Sequence, residues 1–203
     1  MAVPESQVTD VVFDVDGTSL PADNAWPLLQ AVLRRLPWLS DEALAGIHPL
    51  RAVATGYGVV LLAQRAKLVL RVPEARFADC LALQGAALDV AGSALAVGAG
   101  RARPLRPSAT LSAQRVASAA VELEEFESDA RRLLRSLEVE GELIAGRRRQ
   151  ASAGPREIGG FALSLHGLAP VASLRVQAHG MGGDRHLGWG LFVPAKSIAA
   201  VGA

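Results

Sequence analysis

Cysteine, tyrosine and lysine are nearly missing from this 203-residue sequence: it has one, one and two of them, and aromatic residues make up only 4%. A single cysteine excludes a disulfide framework and fits a reducing compartment. Cys80 lies in the apolar run "ADCLALQG", the setting of a buried structural thiol rather than a nucleophile. No stretch of about 18 uncharged apolar residues occurs, so no membrane-spanning helix is expected. The most apolar region, "GVVLLAQRAKLVLRV", is interrupted by Arg65, Lys67 and Arg71. The opening "MAVPESQVTD" has no basic patch followed by an apolar core and is not read as a signal peptide. A soluble, cytoplasmic protein without a membrane partner is expected. The four histidines show no metal-ligand spacing, so no metal and no cofactor are expected either.

Half of the residues are hydrophobic, which supports real cores and argues against global disorder. The length suits one large domain or two of roughly 100 residues each. The net charge of +1 conceals an asymmetry. Residues 1–42 hold seven acids and two bases, whereas residues 43–73 hold four bases and no acid. Residues 74–143 are acidic by 3, and residues 144–203 are basic by 5. Two basic regions that converge on one face would make a polyanion-binding surface without a high overall pI.

Residues 8–16 alternate and are rich in β-formers, so they read as a strand. Asp23 or Asn24 can cap a following helix whose Trp26, Leu29, Leu33 and Leu36 fall at helical spacing. Gly58–Leu62 and Lys67–Val72 read as two strands of a hairpin that Pro73 ends. "EARFADCLALQG" reads as a helix with Gly85 at its C′ position, and "AALDVAGSALAVGAG" as a pair of short strands. The order β-α-β-β-α-β is that of a ferredoxin-like (RRM-like) unit. "GAGRARPLRPSA", residues 98–109, is the best linker candidate. It suggests an N-terminal domain over 1–100, a linker over 101–109 and a C-terminal domain over 110–203. In the second half "TLSAQRVASA" suggests a strand. "ELEEFESDARRLLRSLEV" is the clearest helix, with acids early and arginines late as the helix dipole prefers. Strands are expected at 142–150, 158–166, 171–179 and 191–198. The fold class is therefore α+β, as two tandem ferredoxin-like domains with antiparallel sheets.

Two stretches suggest chemistry. "VVFDVDGTSL", residues 11–20, resembles the nucleophile motif of haloacid-dehalogenase-like phosphatases, with Asp14 as nucleophile and Asp16 as proton shuttle beside magnesium. That mechanism also needs a lysine and a late acidic pair. The sequence has only Lys67 and Lys196, and no acid follows Asp184. The plainer reading is a strand whose Asp14 and Asp16 face water before a turn at Gly17.

The second stretch is "SLRVQAHGMGGDRHLGWGLFVPAKSI". A strand running into a glycine-rich loop is expected here, followed by another strand. Gly180, Gly182, Gly188 and Gly190 bracket Arg185 and His186. Glycines let backbone amides approach phosphate closely, and Arg185 adds charge. The dinucleotide fingerprint is excluded, because a strand and not a helix follows. With "HPLRAVATGYGVVLLAQRAKLVLRVP" and "LQGAALDVAGSALAVG" in the same order, this stretch resembles the CRISPR repeat-processing endoribonucleases, the Cas-six family of RAMP-fold proteins. The likeness covers most of the chain.

The resemblance implies a RAMP fold with a C-terminal glycine-rich loop over 180–190. It also implies metal-independent cleavage of CRISPR repeat RNA, often a hairpin, within the repeat. The RNA's own 2′-hydroxyl attacks the adjacent phosphate and leaves a 2′,3′-cyclic phosphate. Such chemistry needs a base, an acid and cations, but no protein nucleophile. It further implies membership of a multi-protein CRISPR effector complex. A non-catalytic RNA-binding RAMP subunit would share the architecture and remains the alternative.

His48, in "GIHPLR" after the first helix, is the first candidate for acid or base, since imidazole titrates near pH ~6.5. A loop histidine bonded beside Pro49 would look the same. His186 is the rival. His179 and His166 read as structural. Arg51 is a candidate for transition-state charge, and Tyr57 for orienting the phosphate or as a plain turn aromatic. Candidate RNA contacts are Arg65, Lys67 and Arg71 along one strand, Arg147, Arg148 and Arg149 in "GRRRQ", the four loop glycines with Arg185 and His186, and Lys196. Trp38 and Trp189 are either stacking platforms or core.

Overall fold

A computed structural model describes residues 8–195. Lys196, and the part of the expected strand 191–198 beyond Ala195, lie outside the described residues.

The chain runs β1 (Val8–Asp16), β2 (Ser19–Pro21), α1 (Ala25–Leu33), β3 (Gly46–Ile47), β4 (Ala52–Ala54), β5 (Val59–Leu62), β6 (Lys67–Pro73), α2 (Phe77–Cys80), β7 (Ala87–Val90) and β8 (Ser93–Pro104). It continues through β9 (Thr110–Ala117), α3 (Leu123–Ser136), β10 (Glu142–Ala153), β11 (Arg156–His166), α4 (Pro170–His179) and β12 (Val193–Pro194). The first sheet has the order β3-β6-β1-β8-β7 and the second β10-β11-β9-β12. Apart from the extra edge strand β7, both place the first strand between the third and the fourth, with the second beyond the third. This is the ferredoxin-like order, made twice, and every pairing is antiparallel.

Alternation along β1 sets the layers. Val11 and Phe13 point to α1 and α2 and join Leu68, Leu70, Val72, Leu95 and Val97 in the first core. The second core packs Phe126, Ala130 and Leu134 of α3 against Phe161, Leu163 and Leu165 of β11, with Phe126 stacked on Phe161. Leu123 and Leu133, expected in the apolar stripe of α3, are 41% and 42% exposed at its margins. Cys80 is buried, and burial pushes its thiol up to about 12, as a structural cysteine requires. Ala91 and Gly92, both at positive φ, make the two-residue turn between β7 and β8.

Several sequence expectations need correction. Val59–Leu62 and Lys67–Pro73 do not form a hairpin. The first, β5, sits in a separate sheet of order β2-β5-β4, and the second, β6, pairs with β1 and β3. Residues 101–104 of the expected linker belong to β8, which pairs with β1 out to Pro104. Residues 171–179 are helix, not strand. Pro170 presets the first turn, and the buried set Ala172, Ser173, Val176 and Gln177 follows a helical period. The two polar members of that set hold the connecting segment. Ser173 Oγ accepts from the Ser108 amide at 2.9 Å, and Gln177 Nε2 donates to the Arg106 carbonyl at 2.9 Å. Among the described residues no helix is long and apolar enough to cross a membrane.

Candidate active site around His48

The face of the first sheet turned away from its helices carries charge. Asp10 of β1 stands opposite Arg71 of β6 and Arg103 of β8, and Asp14 stands opposite Lys67. The second half covers the Asp10 end. Arg71 donates from Nη1 to the carbonyls of Gln177 at 3.0 Å and Phe192 at 2.7 Å. Its Nε meets Asp10 Oδ1 at 2.8 Å, and its Nη2 meets Oδ2 at 3.4 Å. Arg103 donates to Asp10 Oδ2 at 2.9 Å with more than half of its side chain in solvent.

His48 follows β3 directly, and its amide continues the ladder by donating to Val69 O at 2.9 Å. Its side chain is 13% exposed, with Nε2 at 3.6 Å from Asp10 Oδ1. Burial holds the imidazole below its usual range. The Asp10 carboxylate opposes this, and the Arg71 and Arg103 charges add to it. For Asp10, burial pushes the carboxyl up, but His48 and Arg71 outweigh that and hold it well below the usual range.

The glycine-rich loop is the wall beside His48. A Cβ on Gly188 would lie 2.9 Å from Pro49 and 3.1 Å from the Ile47 carbonyl. The loop glycines were expected to face RNA phosphate, but the structure gives them another task. The amides of Gly180, Gly188 and Gly190 are committed to the carbonyls of Val176, Arg185 and Arg115. Cβ atoms at Gly180 and Gly190 would strike the Gly190 and Met181 carbonyls, and one at Gly182 would lie 2.5 Å from the Ala117 carbonyl. Backbone packs against backbone here, and the amides of Gly180, Gly188 and Gly190 are already paired and not free for phosphate.

Matching sequence profiles place residues 9–197 in the family described as Cas6 Crispr. The chain belongs to the Cas6 family. It is 39% identical over 193 residues to the CRISPR-associated endonuclease Cas6 of Myxococcus xanthus (strain DK1622), covering 95% of this chain and 84% of that one. A solved Cas6-related protein from Pyrococcus furiosus superposes with a TM-score of 0.70 at 12% identity, over 94% of this chain and 99% of that one. A RAMP protein described as binding different RNA substrates superposes with a TM-score of 0.66 at 13% identity, over 91% of this chain and 98% of that one. At such identities the solved structures establish the fold, a RAMP fold of tandem ferredoxin-like units.

Within this Cas6-family fold the other candidates separate. Arg71 is 1% exposed, so it is a fastener between the halves and not an RNA contact. Arg185 is 6% exposed. It donates to the carbonyls of His179 at 2.5 Å, Ala178 at 2.9 Å and Leu44 at 3.0 Å, which removes it from RNA as well. Burial, then the Arg71 charge, lowers it to about 10. Both arginines sit at the C-terminal end of α4, where free carbonyls and the helix dipole favour cations. His186 is half-buried with Nε2 3.3 Å from the Glu42 carbonyl, and burial lowers its titration. It docks the loop on the first half rather than facing the sheet with His48.

Arg51 and Arg65 are exposed, but Arg65 precedes β6 in a turn and does not share the strand face with Lys67. Lys67 pairs with the exposed Asp14, so Asp14 and Asp16 face water as the plainer reading held. Tyr57 is 90% exposed at the tip between β4 and β5. Arg147, Arg148 and Arg149 are exposed on β10, where a bulge follows Ala145. Trp189 is 1% exposed with Arg115 5.5 Å from its ring centre, and Trp38 packs on the first core, so both are core residues. His166 meets Thr110 Oγ1 at 3.3 Å, and His179 is the last residue of α4.

Sequence reasoning missed Asp10 and Arg103. The signal for Arg103 was the alternation of Arg101 and Arg103 in "GRARP", which is strand periodicity inside an apparent linker. Among the described residues no three His, Cys, Asp or Glu side chains group as metal ligands.

Proposed function

We propose that this chain is a metal-independent endoribonuclease that cuts CRISPR precursor RNA once within its repeat. In this reading the 2′-oxygen forms a bond to the adjacent phosphorus as the bond to the 5′-oxygen breaks, giving a 2′,3′-cyclic phosphate. His48 takes the 2′-hydroxyl proton, and the leaving oxygen gains one from a second donor. The observation that carries the reading is His48 itself. It is an imidazole that burial keeps neutral at pH 7, held beside a fixed carboxylate and near the solvent-facing Arg103. A base with a titration point at or below neutrality is competent at cellular pH. Arg103 and Arg51 supply cations for the phosphate, and Arg147, Arg148 and Arg149 offer phosphate contacts along the repeat. The RNA partner in this reading is a CRISPR repeat, often a hairpin in the family, and the family resemblance extends the partners to a multi-protein effector complex.

The test is cleavage of end-labelled repeat RNA in excess EDTA by the wild type and His48→Ala. Support is a single cut with a cyclic phosphate by the wild type, and binding without cutting by the variant. Tight binding without cleavage by both would make the chain a repeat-binding subunit.

A further inference from the structure

An ionised carboxylate accepts about four hydrogen bonds. Asp10 receives three from arginines: one on Oδ1 from Arg71 Nε, and two on Oδ2 from Arg71 Nη2 and Arg103 Nη2. The vacant position is on Oδ1, and His48 Nε2 stands 3.6 Å from that oxygen. Nε2 is buried and has no other hydrogen-bond partner. With the ring proton on Nδ1, the Nε2 lone pair would face a carboxylate oxygen across a gap closed to water. With the proton on Nε2, a small ring rotation completes the bond, and such bonds are often long before substrate arrives. Nδ1 is not among the buried atoms without a partner, and the side chain keeps 13% of its surface exposed.

We propose that Asp10 is the positioning residue for His48: it holds the ring proton on Nε2 and leaves Nδ1 to meet the RNA. This rests on the reading of His48 as the residue that moves the proton. The groups that face the ring are Asp10 from β1, Arg71 from β6 and Arg103 from β8. Arg185, in the adjacent loop, is turned to the carbonyls of Leu44, Ala178 and His179. Arg71 fixes the carboxylate, and the two cations keep the ring neutral, so Asp10 orients the imidazole without drawing a second proton onto it.

The first test needs no RNA. Imidazole nitrogens of the free wild-type protein, labelled with ¹⁵N, are observed above the titration of His48. A protonated Nε2 and a bare Nδ1 are expected; a proton on Nδ1, or an even mixture, overturns the proposal. In Asp10→Asn the amide NH₂ can donate to Nε2 and move the proton to Nδ1. Single-turnover cleavage should fall about 10- to 100-fold with RNA affinity unchanged. An unchanged rate in a folded variant overturns the proposal. If Asp10→Asn does not fold, the wild-type tautomer decides. Failure of the wild type to cut in EDTA would remove the nuclease reading while leaving the tautomer result intact.

Discussion

Arg71 in β6 donates to the carbonyl oxygen of Phe192 at 2.7 Å across 121 positions of sequence. The same guanidinium pairs with Asp10 and accepts no water-facing role, since it is 1% exposed. One side chain therefore joins the two halves and fixes the carboxylate that faces His48. Removing one member of a buried ion pair leaves the other uncompensated, at a cost of about 3–5 kcal/mol. Arg71→Met should destabilise by about that amount in urea unfolding. Combining it with Asp10→Leu should recover the part of the loss that comes from the unpaired carboxylate, while the Gln177 and Phe192 carbonyls that Arg71 serves stay without that donor. The double variant should still cut poorly, since His48 has lost its partner.

The pH dependence follows from His48. Its titration in the folded protein lies below the unfolded value of 6.5. As pH falls through 6.5 the unfolded chain takes up the proton first, so stability declines from there down to the folded titration point. His186 is shifted in the same direction. His48→Gln should therefore flatten the fall of melting temperature between neutrality and the folded titration point. Cleavage should rise with pH over the lower part of that range and be level by pH 7. A rate still rising steeply above neutrality would contradict the depressed imidazole. Asp10 acts in the same direction in a lower window: its stabilisation is present above 3.8 and is lost as pH falls below it.

Local signals made much of this fold legible. The alternation of Val11 and Phe13, the period of Phe126, Ala130 and Leu134, and the Ala91–Gly92 turn each act over a few residues. α4 was missed because two of its buried positions are Ser173 and Gln177, which bond the segment before β9 and break the apolar stripe. β3 is two residues long and holds no period at all. His48 was legible as chemistry in a loop. Asp10, Arg71 and Arg185 were not, because a charged residue on a strand or loop looks the same whether it meets water or a distant carbonyl. Asp10 and Arg71 meet across 61 positions, and Arg185 reaches the Leu44 carbonyl across 141, so only the tertiary fold selects these partners.

Loop glycines separate packing from RNA contact. Gly190 has φ +66°, and an added Cβ would land on the Met181 carbonyl, whereas a Cβ on Gly183 meets nothing within 4 Å. Gly190→Ala should cost about 2 kcal/mol or more from backbone strain and collision. Gly183→Ala should stay within about 0.5 kcal/mol. Thermal unfolding of the two variants, measured without RNA, checks this. Equal and small effects would mean that the loop tolerates side chains and that its glycines serve a ligand instead.

Exposed and buried arginines should differ in salt dependence. Each phosphate contact by a cation releases counterions, so its loss lowers the slope of log affinity against log salt by about one unit. Arg149 is exposed on β10, while Arg185 is closed off by three backbone carbonyls. Arg149→Ala should reduce the slope for repeat RNA by about one unit and leave unfolding unchanged. Arg185→Met should do the reverse, lowering the melting temperature while the folded fraction binds with the wild-type slope. The two measurements, a salt titration of affinity and a melt, distinguish a contact residue from a fastener even where both variants cut slowly. A wild-type slope for Arg149→Ala would move the RNA path off β10 and onto the face that carries Arg101 and Arg103.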